Sequence, residues 1–367
     1  MRVQKILFYV SEVAHFWDSI KPLFNAYVNC GGDIECTVVF PLLEKMQEVG
    51  RGTKNVDRVR SIAAEIGSFA KCFYYDEWDR EQGHYDICFT YSDYIEIGSE
   101  IRKCCQYIVA VQITAIYTHI YVGVSGVKQL FGAQNNENID YWILSDFVAD
   151  WISRKVDLPE DKLLRFGYPR LDDLYSELNE PIEIPEEWSK KIKGRKVFLV
   201  VGANDYPYWL TQIKSGVILY RPHPFQIERE EEEGILKQLS SMENVIIDNT
   251  DTYYQAFKIS DAMISTVLCS LYVNYLMTDK PILLLDEKCF DRRTQYVNDY
   301  NDDPWYKACY IARKDKDITD FIDMVNRGGD ILREVHMPYR IYMQKNFDGM
   351  VCQRIVEYFE NKDEGKR

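Results

Sequence analysis

A chain of 367 residues is long for one domain and fits two of roughly 150 to 200 residues each. Apolar residues make up 46% of it and aromatics 14%, enough for packed cores, which excludes a disordered chain. The formal charge of -14, with no basic run to offset it, excludes nucleic acid as a partner and leaves peripheral association as the most expected at a membrane.

In chain order, Lys5 to Val10 reads as a strand, Trp17 to Cys30 as a helix, Glu35 to Pro41 as a strand, Val56 to Ile66 as a helix and Tyr85 to Thr90 as a strand. Short apolar runs at Tyr107 to Ile113 and Tyr141 to Leu144 continue the series, and Ser145 is placed to cap a helix over 145–155. Repeated βα units imply a doubly wound parallel sheet and a first domain over 1–178. The stretch 179–195, with Pro181 and Pro185 among Glu and Lys, reads as a linker.

The βα rhythm then restarts over 196–340. Strands are expected at Lys196 to Val201, Val217 to Tyr220, Val245 to Ile247, Ala262 to Ser265 and Ile282 to Leu285. Helices are expected at Glu228 to Leu239, Tyr253 to Ile259 and Ser270 to Thr278. The acidic run 228–233 suits a solvated first turn. The tail, 341–367, has apolar residues at helical spacing and suits a helix packing back across both domains, which would face each other over a cleft.

The first ten residues lack the apolar core and cleavage site of a signal peptide, and no uncharged apolar run reaches about 18 residues. A cytoplasmic protein is expected, at the inner face of the membrane at most. Ten scattered cysteines read as reduced, mostly buried thiols. The five histidines (His15, His84, His119, His223, His336) lie far apart, so neither a metal nor another cofactor is expected.

Ligands of open α/β sheets bind beyond the carboxyl ends of the strands, so residues just after each strand carry the functional reading. Gly202 and Asn204 follow the first strand of the second half and suit either a close backbone approach to a ligand or an ordinary turn. Arg221-Pro222-His223-Pro224 holds a guanidinium and an imidazole at a strand end stiffened by two prolines; both suit a diphosphate, and the imidazole can protonate a leaving phosphate. Asp248 suits a ribose hydroxyl or an Asx turn. Ser265, Thr266 and Ser270 suit phosphate contacts, with helix capping by Ser270 as the alternative. Two such loops in one domain argue for a nucleoside diphosphate donor.

On the acceptor side, the loop after the first strand offers His15 or Asp18 as the general base, although Asp18 or Ser19 would equally cap the next helix. His119 is a further candidate, and His84 and His336 are expected to be exposed and without a role.

Arg-Pro-His-Pro, Ser260-Asp261-Ala262, the serine-bearing turn at 265–270 and Lys280-Pro281-Ile282, in this order, resemble the CDP-glycerol glycerophosphotransferase family. Phe16-Trp17-Asp18-Ser19 and Gly167-Tyr168-Pro169-Arg170-Leu171-Asp172 add to the likeness. The resemblance implies a GT-B α/β fold and CDP-glycerol as donor. It further implies transfer of glycerol phosphate to a hydroxyl of a glycan or polyol-phosphate acceptor, with release of CMP. It places His223 at the donor diphosphate and Thr266 and Ser270 on the hydroxyl turn.

Two departures stand against it. Val267 and Cys269 replace an Asp and a Ser of the usual turn, and the family's His-Gly pair occurs nowhere in the chain. A nucleotide-sugar glycosyltransferase of the same fold and a non-catalytic nucleotide-binding homologue are therefore the alternatives.

Overall fold

The structure is a computed structural model that describes residues 3–10, 14–40, 52–79, 83–91, 99–112, 138–155, 158–201, 210, 213–222, 236–250, 252–266, 269–286 and 304–364. These form two compact units. One comprises the described residues of 1–114, 125–175 and 345–367, the other those of 176–344.

The first unit is built on a seven-stranded sheet: β1 (Gln4–Tyr9), β2 (Ile34–Phe40), β3 (Lys71–Tyr74), β4 (Tyr85–Tyr91), β5 (Cys105–Val111), β6 (Tyr141–Ile143) and β7 (Leu163–Leu164). Their order is β3-β2-β1-β4-β5-β6-β7, with every pair parallel. Strands covered on both faces read as unbroken apolar runs, and β4 is buried along its whole length. β3, largely half-exposed, and the two-residue β7 carry no such run and are invisible to pattern reading.

An aromatic cluster fixes the first helix against this sheet. The helix Ala14–Asn29 turns Trp17, Phe24 and Tyr27 inward, and the Phe24 ring meets Phe8 of β1 edge-on at 5.3 Å. The expected helix starts three residues earlier than the sequence suggested. Asp18 and Ser19 accordingly lie in its second turn and do not cap it.

The final helix, Val351–Glu364, packs in this same unit, with Phe359 edge-on to Phe89 at 5.8 Å and Val351 and Ile355 fully buried. The helical tail expected over 341–367 is divided, because one helix (Arg333–Met343) ends before Gln344 and the next begins at Val351. Asp172 holds that second start: its two carboxylate oxygens accept the Val351 and Cys352 N–H groups at 2.9 and 2.7 Å. Asp172→Ala should lower stability by about 1 to 2 kcal/mol in urea unfolding, the usual cost of losing a helix cap.

The second unit carries β8 (Val197–Val201), β9 (Val217–Arg221), β10 (Val245–Ile247), β11 (Ala262–Thr266), β12 (Ile282–Leu285) and β13 (Tyr310–Ala312). They form a parallel sheet in the order β10-β9-β8-β11-β12-β13. Its core runs through Phe198, Val200, Ile218, Tyr220, Ile264, Leu283, Phe321 and Ile322. In each sheet the strand order reverses about the first strand, which makes switch points between β1 and β4 and between β8 and β11.

The Pro- and Glu-rich stretch read as a linker carries a helix, Glu186–Ile192. Pro185 begins it rather than blocking it, Trp188 is buried, and Lys193 in the left-handed region ends it. Ser145 is a cap by position only. Its backbone carbonyl accepts the Ala149 N–H, its own N–H donates to Gln112 Oε1, and its buried hydroxyl has no partner among the described residues. Most of the helix expected over Glu228 to Leu239 lies outside the described residues, with 236–240 helical.

Candidate functional site at the carboxyl edge of the second sheet

Strand register brings Val201, Arg221 and Ser265 level at the carboxyl edge of the second sheet, and Asp248 joins them through its N–H bond to the Tyr220 carbonyl. Arg221 ends β9 with its guanidinium turned along the edge. Nη1 donates to Asp248 Oδ2 at 2.7 Å and to the Thr250 hydroxyl at 3.2 Å, and Nη2 donates to the Thr250 carbonyl at 3.0 Å. The Asp248 side chain is fully buried and that of Arg221 is 13% exposed, so this pair is removed from water and tied at several points.

Asp248 also makes the turn that follows β10. Its Oδ1 accepts the Thr250 N–H at 3.0 Å, the Asx-turn bond, and lies 2.5 Å from the Thr250 hydroxyl. The acidic side chain therefore neutralises Arg221 and shapes its own loop. Its geometry is that of the Asx alternative. Pro222, next in the chain, is buried. His223, Gly202 and Asn204 lie outside the described residues.

Across the switch point, β11 ends at Thr266 beside the buried Ser265. Ser270 precedes the five-residue helix Leu271–Tyr275 in helical backbone conformation, and its side chain makes no capping bond. Capping does not account for the Ser270 hydroxyl, and so short a helix adds little dipole. Further along the edge, Asp286 after β12 lies 3.5 Å from Arg313 Nε, whose guanidinium also donates to Tyr306 Oη at 2.8 Å. The rule of looking just after each strand would have found Asp286. Arg313 was hidden because β13 is three residues long.

Lys280 belongs to the opposite edge. Its ammonium donates to the carbonyls of Phe257 and Lys258, both at 2.9 Å, and of Ser260, closing the helix Tyr254–Ile259.

In the first unit, Asp18 Oδ2 accepts from Arg58 Nη2 at 3.2 Å. His15 lies in the first helical turn with its side chain outside the described residues, as is the whole of His119. His84 is exposed, as expected. His336 is not: it is buried edge-on to Tyr310 at 5.5 Å, and burial together with the Arg340 charge lowers its pKa to about 4. It sits on the inner face of an amphipathic helix whose apolar Val335 and Ile341 are turned outward instead. Among the described residues all cysteines are free and most are buried, the Cys36 thiol being pushed up to about 12 by burial. Among the same residues no group of side chains could hold a metal ion, and no helix is long and apolar enough to cross a membrane.

No family model matches this chain, and no curated protein matches it either. Solved structures do. The wall teichoic acid polymerase TagF, also solved with a CDPG soak, has a TM-score of 0.59 at 15% identity, over 100% of this chain and 90% of that one. S. aureus MnaA with UDP has a TM-score of 0.63 at 12% identity, over 98% and 97%. UDP-GlcNAc 2-epimerase from Neisseria meningitidis, bound to UDP-GlcNAc, has 0.58 at 11%, over 98% and 100%. At these identities the likeness is one of fold, and the chain has a GT-B-type α/β fold.

Proposed function

We propose that the protein is a transferase that takes a nucleotide-activated donor at the carboxyl edge of its second sheet. It moves glycerol phosphate, or a related polyol phosphate, from a CDP-activated donor to a hydroxyl of a cell-surface polymer or its precursor, releasing CMP. The observation that carries this reading is the Arg221–Asp248–Thr250 lock at the carboxyl ends of β9 and β10, one strand away from the β8/β11 switch point. It makes a rigid strand end from which Pro222 leads to His223. Because Asp248 neutralises Arg221, the role of the arginine is to hold the edge in shape. The diphosphate charge then falls to His223 and to the hydroxyls of Thr266 and Ser270, with Ser265, Gly202 and Asn204 lining the donor side. Catalysis of this kind is mainly positioning and charge stabilisation, and the wall teichoic acid polymerase TagF, also solved with a CDPG soak, is a protein of this fold.

A nucleotide-sugar reaction is the second reading. Val267 and Cys269 in the hydroxyl turn favour it, as do the UDP-bound proteins of the same fold. Purified protein incubated with CDP-glycerol, UDP-GlcNAc or a CMP-sugar, each with glycerol 3-phosphate, separates the readings. Release of CMP from CDP-glycerol is expected. Release from a sugar donor alone would favour the second reading, and stabilisation by CMP without any release would mark a binding homologue.

A further inference from the structure

We propose that Arg313 supplies a cation to the donor edge of the second unit, where its guanidinium bonds a phosphate oxygen of the nucleoside diphosphate. This rests on the transferase reading above and adds a charged fork to a set made otherwise of an imidazole and hydroxyls.

Register places the residue at that edge. Thr266, Leu285 and Ala312 are level across β11, β12 and β13, and the Asp286 N–H donates to the Ala312 carbonyl at 2.9 Å. Asp286 and Arg313 are therefore the first residues beyond the carboxyl ends of their strands, where open α/β sheets take their ligands. β13 lies two strand spacings, about 10 Å, from β11. Arg313 leans toward the strand between them, since its Nε lies 3.5 Å from Oδ2 of Asp286, and so toward the turn that carries Ser270.

Arg221 and Arg313 are held differently. Both terminal nitrogens of Arg221 are engaged by Asp248 and Thr250, and its side chain is 13% exposed. That of Arg313 is 55% exposed, its contact with Asp286 is long for a hydrogen bond, and Nη1 donates to none of the described residues. The other side of the fork is tethered, because Nη2 donates to Oη of the buried Tyr306 at 2.8 Å. The backbone beneath it is fixed as well. Asp317 Oδ2 accepts the Arg313 and Lys314 N–H groups at 2.9 and 3.2 Å, at the start of the helix Asp315–Asn326. A guanidinium tethered on one side with open donors on the other suits a phosphate and loses less side-chain freedom on binding than an untethered one.

Binding of CDP by calorimetry and of cytidine by ligand-observed NMR, with CMP release from CDP-glycerol beside them, tests this. Arg313→Gln should weaken CDP about 10- to 100-fold and leave cytidine binding as in the wild type, because only the phosphates meet the guanidinium. KM for CDP-glycerol should rise in the same proportion, with kcat changed less. Arg313→Lys should recover part of the loss, since it returns the charge without the fork. The melting temperature of R313Q should stay within about 2 °C of the wild type, because so exposed an ion pair contributes little. Unchanged CDP affinity and KM in R313Q would overturn the assignment and leave the transferase reading intact. Equal losses of CDP and cytidine would mark a structural effect and overturn it too. A wild type that neither binds CDP nor releases CMP would remove both.

Discussion

His223→Ala should reduce nucleotide release by roughly 100- to 10,000-fold, the range spanned by loss of a positioned proton donor or of a transition-state hydrogen bond. The expectation comes from its place in the chain. Two residues before it, Arg221 closes β9 and is fixed by Asp248 and Thr250, and between them the buried Pro222 leaves one backbone torsion fixed. The melting temperature should stay within about 1 °C of the wild type, since the interactions that hold this strand end belong to Arg221, Asp248 and Thr250. His223→Gln should recover part of the rate if the imidazole chiefly donates a hydrogen bond, and none if it delivers a proton. A fully active alanine variant, measured by CMP release, would remove the histidine from the mechanism.

Asp248→Ala is expected to be the most destabilising single change at the site. The carboxylate is fully buried, balances a guanidinium that is itself mostly buried, and holds the Thr250 turn. Removing one member of such a pair leaves a buried charge without compensation and costs about 3 to 5 kcal/mol. For a protein of this size the melting temperature should fall on the order of 10 °C. Arg221→Met combined with Asp248→Ala should recover part of the loss, because the stranded charge goes as well. Thermal melts of the two single variants and the double variant measure this coupling. Additive losses would show that the pair is not a unit. Because the lock shapes the proposed donor edge, the single variants should also lose stabilisation by CDP.

The sheets were legible in the sequence because most of their strands are apolar runs covered on both faces. Ile34–Phe40, Val197–Val201 and Ile282–Leu285 coincide with expectation to within a residue or two. Strands without such a run were missed: β3 is half-exposed at the sheet edge, β7 has two residues and β13 three. Pro185 misled because a proline that stops one helix also starts another, and the buried Trp188 on which that second helix rests carries no local signal. The strand-end rule pointed to Arg221 and Asp248 as ligand contacts but could not show that the two would pair with each other. That Asp248 would bind Arg221 depends on β9 and β10 being neighbours, a contact across 27 residues of chain.

The most direct test of a donor site on the second sheet is a crystal structure after a soak with CDP-glycerol. A cytidine diphosphate group is expected at the carboxyl edge of β8, β9 and β11, within hydrogen-bond distance of His223 and of the Thr266 or Ser270 hydroxyl, with the Arg221–Asp248 pair intact. CDP-glycerol bound away from that edge, or an Arg221 that leaves Asp248 to grip the phosphates itself, would contradict it.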